Sequence, residues 1–153
     1  MKKFRFPLRP VAILRAHFEM RAREAFAAAV HAYVAAAEHH ARVRARLTEL
    51  EEILFAGRRD RFNAAETAAF FRAYRQECAA EMQAAHAANT ARAEMQSRRA
   101  AYLEANRKVK VVSKLEDQAR ARHRAEVARV EQAELDEFAS YRAFRNRQPV
   151  LTS

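Results

Sequence analysis

KVKVVSKLEDQARARHRAEVARVEQAELDEFASYR, from Lys108 to Arg142, carries the pattern that sets the architecture of the chain. It contains no Gly and no Pro. Val109, Val112, Leu115, Ala119, His123, Val127, Val130, Glu134, Phe138 and Tyr141 recur at steps of three and four among dense charge, the spacing of one helix face. The stretch therefore reads as a single helix with a thin apolar seam. Helix formation in water is marginal without packing, so a second helix must cover that seam.

The composition supports the same architecture. The chain has 153 residues but only one Gly and three Pro, which leaves few turns. Ala, Arg, Glu, Leu, Gln and Met dominate, a nearly all-helical choice of residues. Half of the residues are hydrophobic, yet much of that share is Ala, and an Ala seam buries little area per residue. The fold class expected is all-α: a long antiparallel two-helix coiled coil in a single domain over 1–153, with room for a short extra helix in the middle.

Helix one is expected at about 10–56, opened by Pro7 and Pro10 after the basic, aromatic start Phe4, Arg5, Phe6. From Ala22 its heptad is clear. Ala22, Ala29, Ala36, Val43 and Leu50 form one column, and Phe26, Tyr33, His40, Leu47 and Leu54 form the other. Before Ala22 the apolar residues are Val11, Leu14 and Phe18, and the successive four-residue steps from Phe18 to Ala22 to Phe26 predict a stutter. Gly57 is the residue suited to a helix C-cap, so a turn is expected over 57–63. Asn63 with Glu66 three residues on reads as a capping box, opening helix two at about 64–147 before a frayed tail over 148–153. The seam of helix two runs through Phe70, Tyr74, Cys78, Ala84, Ala88, Ala91, Met95, Tyr102 and Ala105 into the opening stretch. Asn89 and Thr90 are weak helix formers where that helix is expected to kink or divide.

Helix two is much longer than helix one, so two pairings are open. A fold-back at Gly57 leaves Leu135, Asp136 and Glu137 projecting. A turn-back in the Phe62 to Ala88 region brings those residues beside Phe4 and Leu8.

Several chemistries are disfavoured. A single Gly excludes a P-loop or dinucleotide loop. The six His show no metal-ligand spacing, and His40 and His123 read as packing residues on the seams, so no metal, cofactor or catalytic residue is expected. The formal net charge of +10 points to acidic partners: nucleic acid, anionic membrane or an acidic protein cavity. Arg58, Arg59, Arg61 and Phe62 form the one candidate nucleic-acid contact, but a solvated hairpin tip explains them better. The lone Cys78 fits a reducing cytosol, and no apolar run approaches the roughly 20 residues of a membrane span.

Both ends resemble one family. Phe4 to Arg15, FRFPLRPVAILR, resembles the opening of the flagellar FliJ family. More specific is the C-terminal pattern of Val109, Lys114-Leu115, Glu126, Glu131-Gln132, Leu135-Asp136-Glu137 and Arg142, in order and spacing. The resemblance implies a non-enzymatic central stalk of the flagellar type III export ATPase, located at the cytoplasmic face of the basal body. Its partners would be the hexameric ATPase FliI, the export gate protein FlhA and export chaperones, with no nucleic acid. Membrane association would be peripheral, through the export apparatus. Phe4, Phe6, Leu8, Val11, Leu14, Leu135, Asp136, Glu137 and Arg142 would meet the ATPase ring, and Phe70, Phe71 and Tyr74 the gate. That family also implies chain ends that meet, which favours the mid-chain turn-back. The alternatives are the equivalent stalk of a virulence-type injectisome, a basic helical nucleic-acid-binding protein, or a plain coiled-coil adaptor.

Overall fold

The computed structural model describes residues 3–60 and 63–147, and the side chains of 3–57 and 63–147. Two helices account for nearly all of them: α1, Arg9–Asp60, of 52 residues, and α2, Ala64–Arg147, of 84. Among the described residues there is no strand. The helices pack as an antiparallel hairpin, the fold class expected.

Local chemistry explains where each helix starts. Pro10, which lacks an N–H, sits in the first turn of α1, and the Ala12 N–H reaches the Leu8 carbonyl at 2.9 Å. At α2 the Asn63 Oδ1 accepts the Glu66 N–H at 2.8 Å, and Glu66 Oε2 accepts the Asn63 N–H at 3.1 Å. This is the reciprocal capping box the sequence predicts.

By internal contacts the chain divides into two compact units, Met1–Ala16 with Arg107–Ser153, and His17–Asn106. In the His17–Asn106 unit the antiparallel register is read from partners that rise along α2 as they fall along α1. Tyr74 bonds Glu51, Glu77 pairs with Arg46, Glu81 bonds His40, and Tyr102 stacks on Phe26. Ala29, Val43, Ala84 and Ala88 are its buried apolar residues, with Val43 only 1% exposed. Three of the four are Ala, so the thin seam expected from composition is what forms.

In the other unit Phe6 and Val112 are buried, with Val109, Ala119, His123 and Val127 half-buried along α2. The Phe4 ring meets His123 edge-on, centroids 5.5 Å apart, and the Arg120 guanidinium lies 5.3 Å from its centre. From Ala128 to Arg147 every residue of α2 is exposed.

Five expectations are corrected. The first is the stutter at Phe18. Covered residues of α1 step 19, 22, 26, 29 and 33 in unbroken alternation of four and three, which puts Glu19 on the seam at 8% exposure and leaves Phe18 at 55%. Two consecutive four-residue steps carry a side chain about 80° round a helix at roughly 100° per residue, so Phe18 cannot share the face of Phe26. Phase wins over hydrophobicity here because Glu19 finds a partner, Arg23, at 2.6 Å. By the same geometry Val11 and Leu14 are exposed, while Ala12 and Arg15 are half-covered.

Second, Leu115 is exposed and Glu116 takes its place, since two successive three-residue steps from Val109 rotate Leu115 about 120° off the face. Third, Gly57 does not cap α1; the helix runs through it to Asp60, with Gly57 buried three residues after Leu54 in the seam phase. The helix-propensity cost of Gly, about 1 kcal/mol, is offset where a missing side chain lets helices approach closely. Fourth, α2 neither divides into two helices nor turns back near Asn89. Packing of Ala84 and Ala88 overrides propensity, and the Thr90 hydroxyl donates to the His86 carbonyl at 3.0 Å within the helix. Fifth, Val130, Glu134, Phe138 and Tyr141 have no covering helix. Phe4 lies against residues near position 120 and not beside Leu135, so the pairing that leaves Leu135, Asp136 and Glu137 projecting is the one found. Arg61, Phe62 and the tail 148–153 lie outside the described residues, as do the side chains of Arg58 and Arg59.

Candidate functional site

Residues 128–147 form a stretch of helix that no other described residue covers. At about 1.5 Å per residue it is roughly 30 Å long. It carries Val130, Leu135, Phe138, Tyr141 and Phe144, the last four each more than 60% exposed. Val130, Phe138 and Tyr141 continue the line of Val112, Ala119 and His123, so the seam goes on after its partner has ended. Phe144 and Leu135 fall to either side, widening the apolar face to about half of the circumference. A helix this short is marginal alone; within it the Gln132 amide donates to Asp136 Oδ1 at 2.8 Å, the kind of pair that adds only a few tenths of a kcal/mol. Such a face gains most by being enclosed.

The residues singled out from the sequence fall into three groups. Leu135, Asp136, Glu137 and Arg142 lie on this uncovered stretch. Leu8, Val11 and Leu14 are exposed at the start of α1, on a stripe rotated away from the seam. Phe4 and Phe6 are not free: Phe6 is buried and Phe4 is held by His123 and Arg120. In the other unit Phe70 and Tyr74 are half-covered and stack at 6.4 Å, leaving Phe71 as the exposed member of the trio.

Sequence reasoning missed the polar contacts that tie α1 to α2. His40 Nε2 lies 2.8 Å from Glu81 Oε1, both about three-quarters buried. Arg46 Nε lies 3.5 Å from Glu77 Oε2, an ion-pair distance at which that buried oxygen has no hydrogen bond. Tyr74 donates to Glu51 at 3.1 Å, and this bond, with a contact to Cys78, raises the phenol above its ordinary value. Glu77 and Glu81 are one helical turn apart, but only the register shows what faces them. These contacts read as register-setting features, since a shift of one heptad strands each acid. Among the described residues no three potential metal ligands cluster.

The fold and site together define a class: an antiparallel coiled-coil hairpin whose longer helix runs on uncovered at one end. The chain matches the flagellar FliJ protein family over residues 4–148, and it belongs to that family. No curated protein and no solved structure matches it. FliJ proteins are structural components of flagellar protein export, and the chain's role lies in that process. No helix among the described residues is long and apolar enough to cross a membrane.

Proposed function

We propose that the chain is the non-enzymatic central stalk of the flagellar type III export ATPase, inserting into the FliI hexamer, promoting its assembly and activity, and linking it to the gate protein FlhA. One observation carries the reading: a continuous helix that extends about 20 residues past its partner with large apolar side chains exposed on it. Leu135, Asp136, Glu137 and Arg142 on that extension make the ring contacts, with Leu8, Val11 and Leu14 beside the start of α1. Phe4 and Phe6 act indirectly, by fastening the entry segment to α2. Phe71, supported by Phe70 and Tyr74, is the candidate gate contact. The match to a flagellar family favours this stalk over its injectisome counterpart.

The mechanism follows from differential affinity. A two-helix stalk is asymmetric, whereas a ring of identical subunits is not, so the stalk contacts one subunit differently from its neighbours. A contact that binds one subunit conformation better shifts that subunit toward it, while catalysis stays with the ring. Exposed ion pairs contribute only about 0 to 1 kcal/mol each, so the association is weak, multivalent and salt-sensitive.

The test is a reconstituted FliI ATPase assay. The chain alone hydrolyses no ATP, the ring with the chain turns over faster, and replacing Leu135, Asp136 and Glu137 together by Ala removes the stimulation. Unchanged stimulation by a folded triple variant sinks the assignment of these residues.

A further inference from the structure

The positive charge of the chain is not spread along it. The His17–Asn106 unit holds thirteen Lys and Arg against twelve Asp and Glu, and the other unit sixteen against seven. Within the latter, residues 1–16 and 107–129 hold thirteen basic residues and three acidic ones, while 130–153 hold three and four. The whole formal excess of +10 thus belongs to residues 1–16 and 107–129.

In the same unit a groove of about 930 Å³ lies between the entry segment and α2. Phe6, Pro7, Pro10 and Ile13 give it apolar walls, and Arg5, Arg9 and Arg120 border it. Glu116, the one acid lining it, is engaged by Arg120 at 2.6 Å. No carboxylate among the described residues pairs with Arg5 or Arg9, and Ile13 is 64% exposed. This arrangement works against the chain's own stability. The first turn of α1 has no acidic residue, and cations beside the positive end of a helix cost about 0.3 to 1 kcal/mol each.

We infer that this groove is a docking site for an acidic polypeptide segment that carries a large apolar side chain. Arg5 and Arg9 take its carboxylates, and the Pro10 and Ile13 walls take its apolar side chain. A concave site with both features suits a protruding chain segment. A lipid surface needs a flat or convex face, and a single-stranded nucleic acid held by base stacking needs free aromatic faces, whereas the Phe4 ring is already engaged by His123 and Arg120. The inference goes beyond the stalk reading, because it names a partner chemistry at residues other than Leu135, Asp136 and Glu137 and does not require the ring.

The test is fluorescence anisotropy of the full chain with a labelled twelve-residue peptide of Glu bearing a central Leu-Phe pair, at about 50 mM salt where surface charge is least screened. Three controls accompany it: an all-Glu peptide, a neutral Leu-Phe peptide, and vesicles of phosphatidylglycerol. The acidic Leu-Phe peptide is expected to bind best, and the Arg5→Glu/Arg9→Glu variant to lose about tenfold in affinity. The swap Arg72→Glu/Arg75→Glu, in the other unit, leaves binding unchanged. Arg5 and Arg9 are exposed, and acids at a helix start are favourable, so the first variant folds; far-ultraviolet circular dichroism verifies it. Equal binding of the all-Glu peptide, equal loss from the Arg72/Arg75 swap, or binding to vesicles alone overturns the proposal. Ring stimulation measured on the same variants separates the two readings. Stimulation retained with peptide binding lost leaves both standing as independent sites. Peptide binding by a chain that never stimulates the ring leaves the groove and removes the stalk.

Discussion

Replacing Glu19 by Leu is expected to stabilise the chain, although it removes an ion pair. Glu19 is 8% exposed and sits where the unbroken phase of α1 places a seam residue. Burying a Leu side chain there contributes about 1.5 to 3 kcal/mol, and losing the pair with Arg23, which is largely exposed, costs about 0.3 to 0.5. The net gain is about 1 to 2.5 kcal/mol. Phe18→Ala is the companion change. With Phe18 at 55% exposure, and Ala the better helix former, it costs under about 1 kcal/mol. The stutter expected from apolar residues alone demands the reverse: Phe18→Ala costing about 3 to 5 kcal/mol and Glu19→Leu close to neutral. Urea unfolding followed by circular dichroism decides, with the slope unchanged so that midpoint shifts report stability. A Phe18→Ala loss larger than the Glu19→Leu gain refutes the phase assigned to α1.

Other outcomes follow from the same geometry. Val43→Ala, at the most buried side chain, destabilises by about 1.5 to 3 kcal/mol in the same assay. A double-mutant cycle on His40→Ala and Glu81→Ala returns a coupling of about 0.5 to 1.5 kcal/mol, and a coupling near zero denies that contact a part in setting register. Because the bond to Glu51 raises the Tyr74 phenol, its contribution is fully present below about pH 10 and lost as pH rises through the folded value. Ultraviolet phenolate titration of Glu51→Gln therefore shows one Tyr ionising at lower pH than in the unaltered chain. Truncation after Val127 leaves the unfolding free energy within about 0.5 kcal/mol of the full chain, as expected when residues 128–147 are exposed throughout, yet abolishes ring stimulation.

Features decided within one or two turns of chain were legible in the sequence. The Asn63–Glu66 capping box needs only four residues, and the column from Ala22 to Leu54 needs only helix periodicity; both are found in place. Features decided by the partner helix were not. Glu19 is a seam residue because phase is imposed along the interface and Arg23 is near enough to satisfy it, which no hydrophobicity count reveals. Gly57 looked like a cap because Gly usually ends helices, but it lies at a seam position where a small residue also fits. The uncovered end was half-legible. A helix of 84 residues paired with one of 52 must leave something over, yet only the register, read from Phe4 against His123, shows that the surplus is the end bearing Leu135.

Hydrogen exchange of the chain, alone and bound to the FliI ring, reports whether residues 128–147 are the part that the ring encloses. Alone, the amides of 128–147 exchange far faster than those flanking Val43 and Ala84, since unsupported helix is marginal in water. On the ring, protection rises over 128–147 and over the first turns of α1, while the middle of the hairpin is unaffected. Protection that appears instead around Phe70 to Ala88, with 128–147 still exchanging freely, contradicts the account.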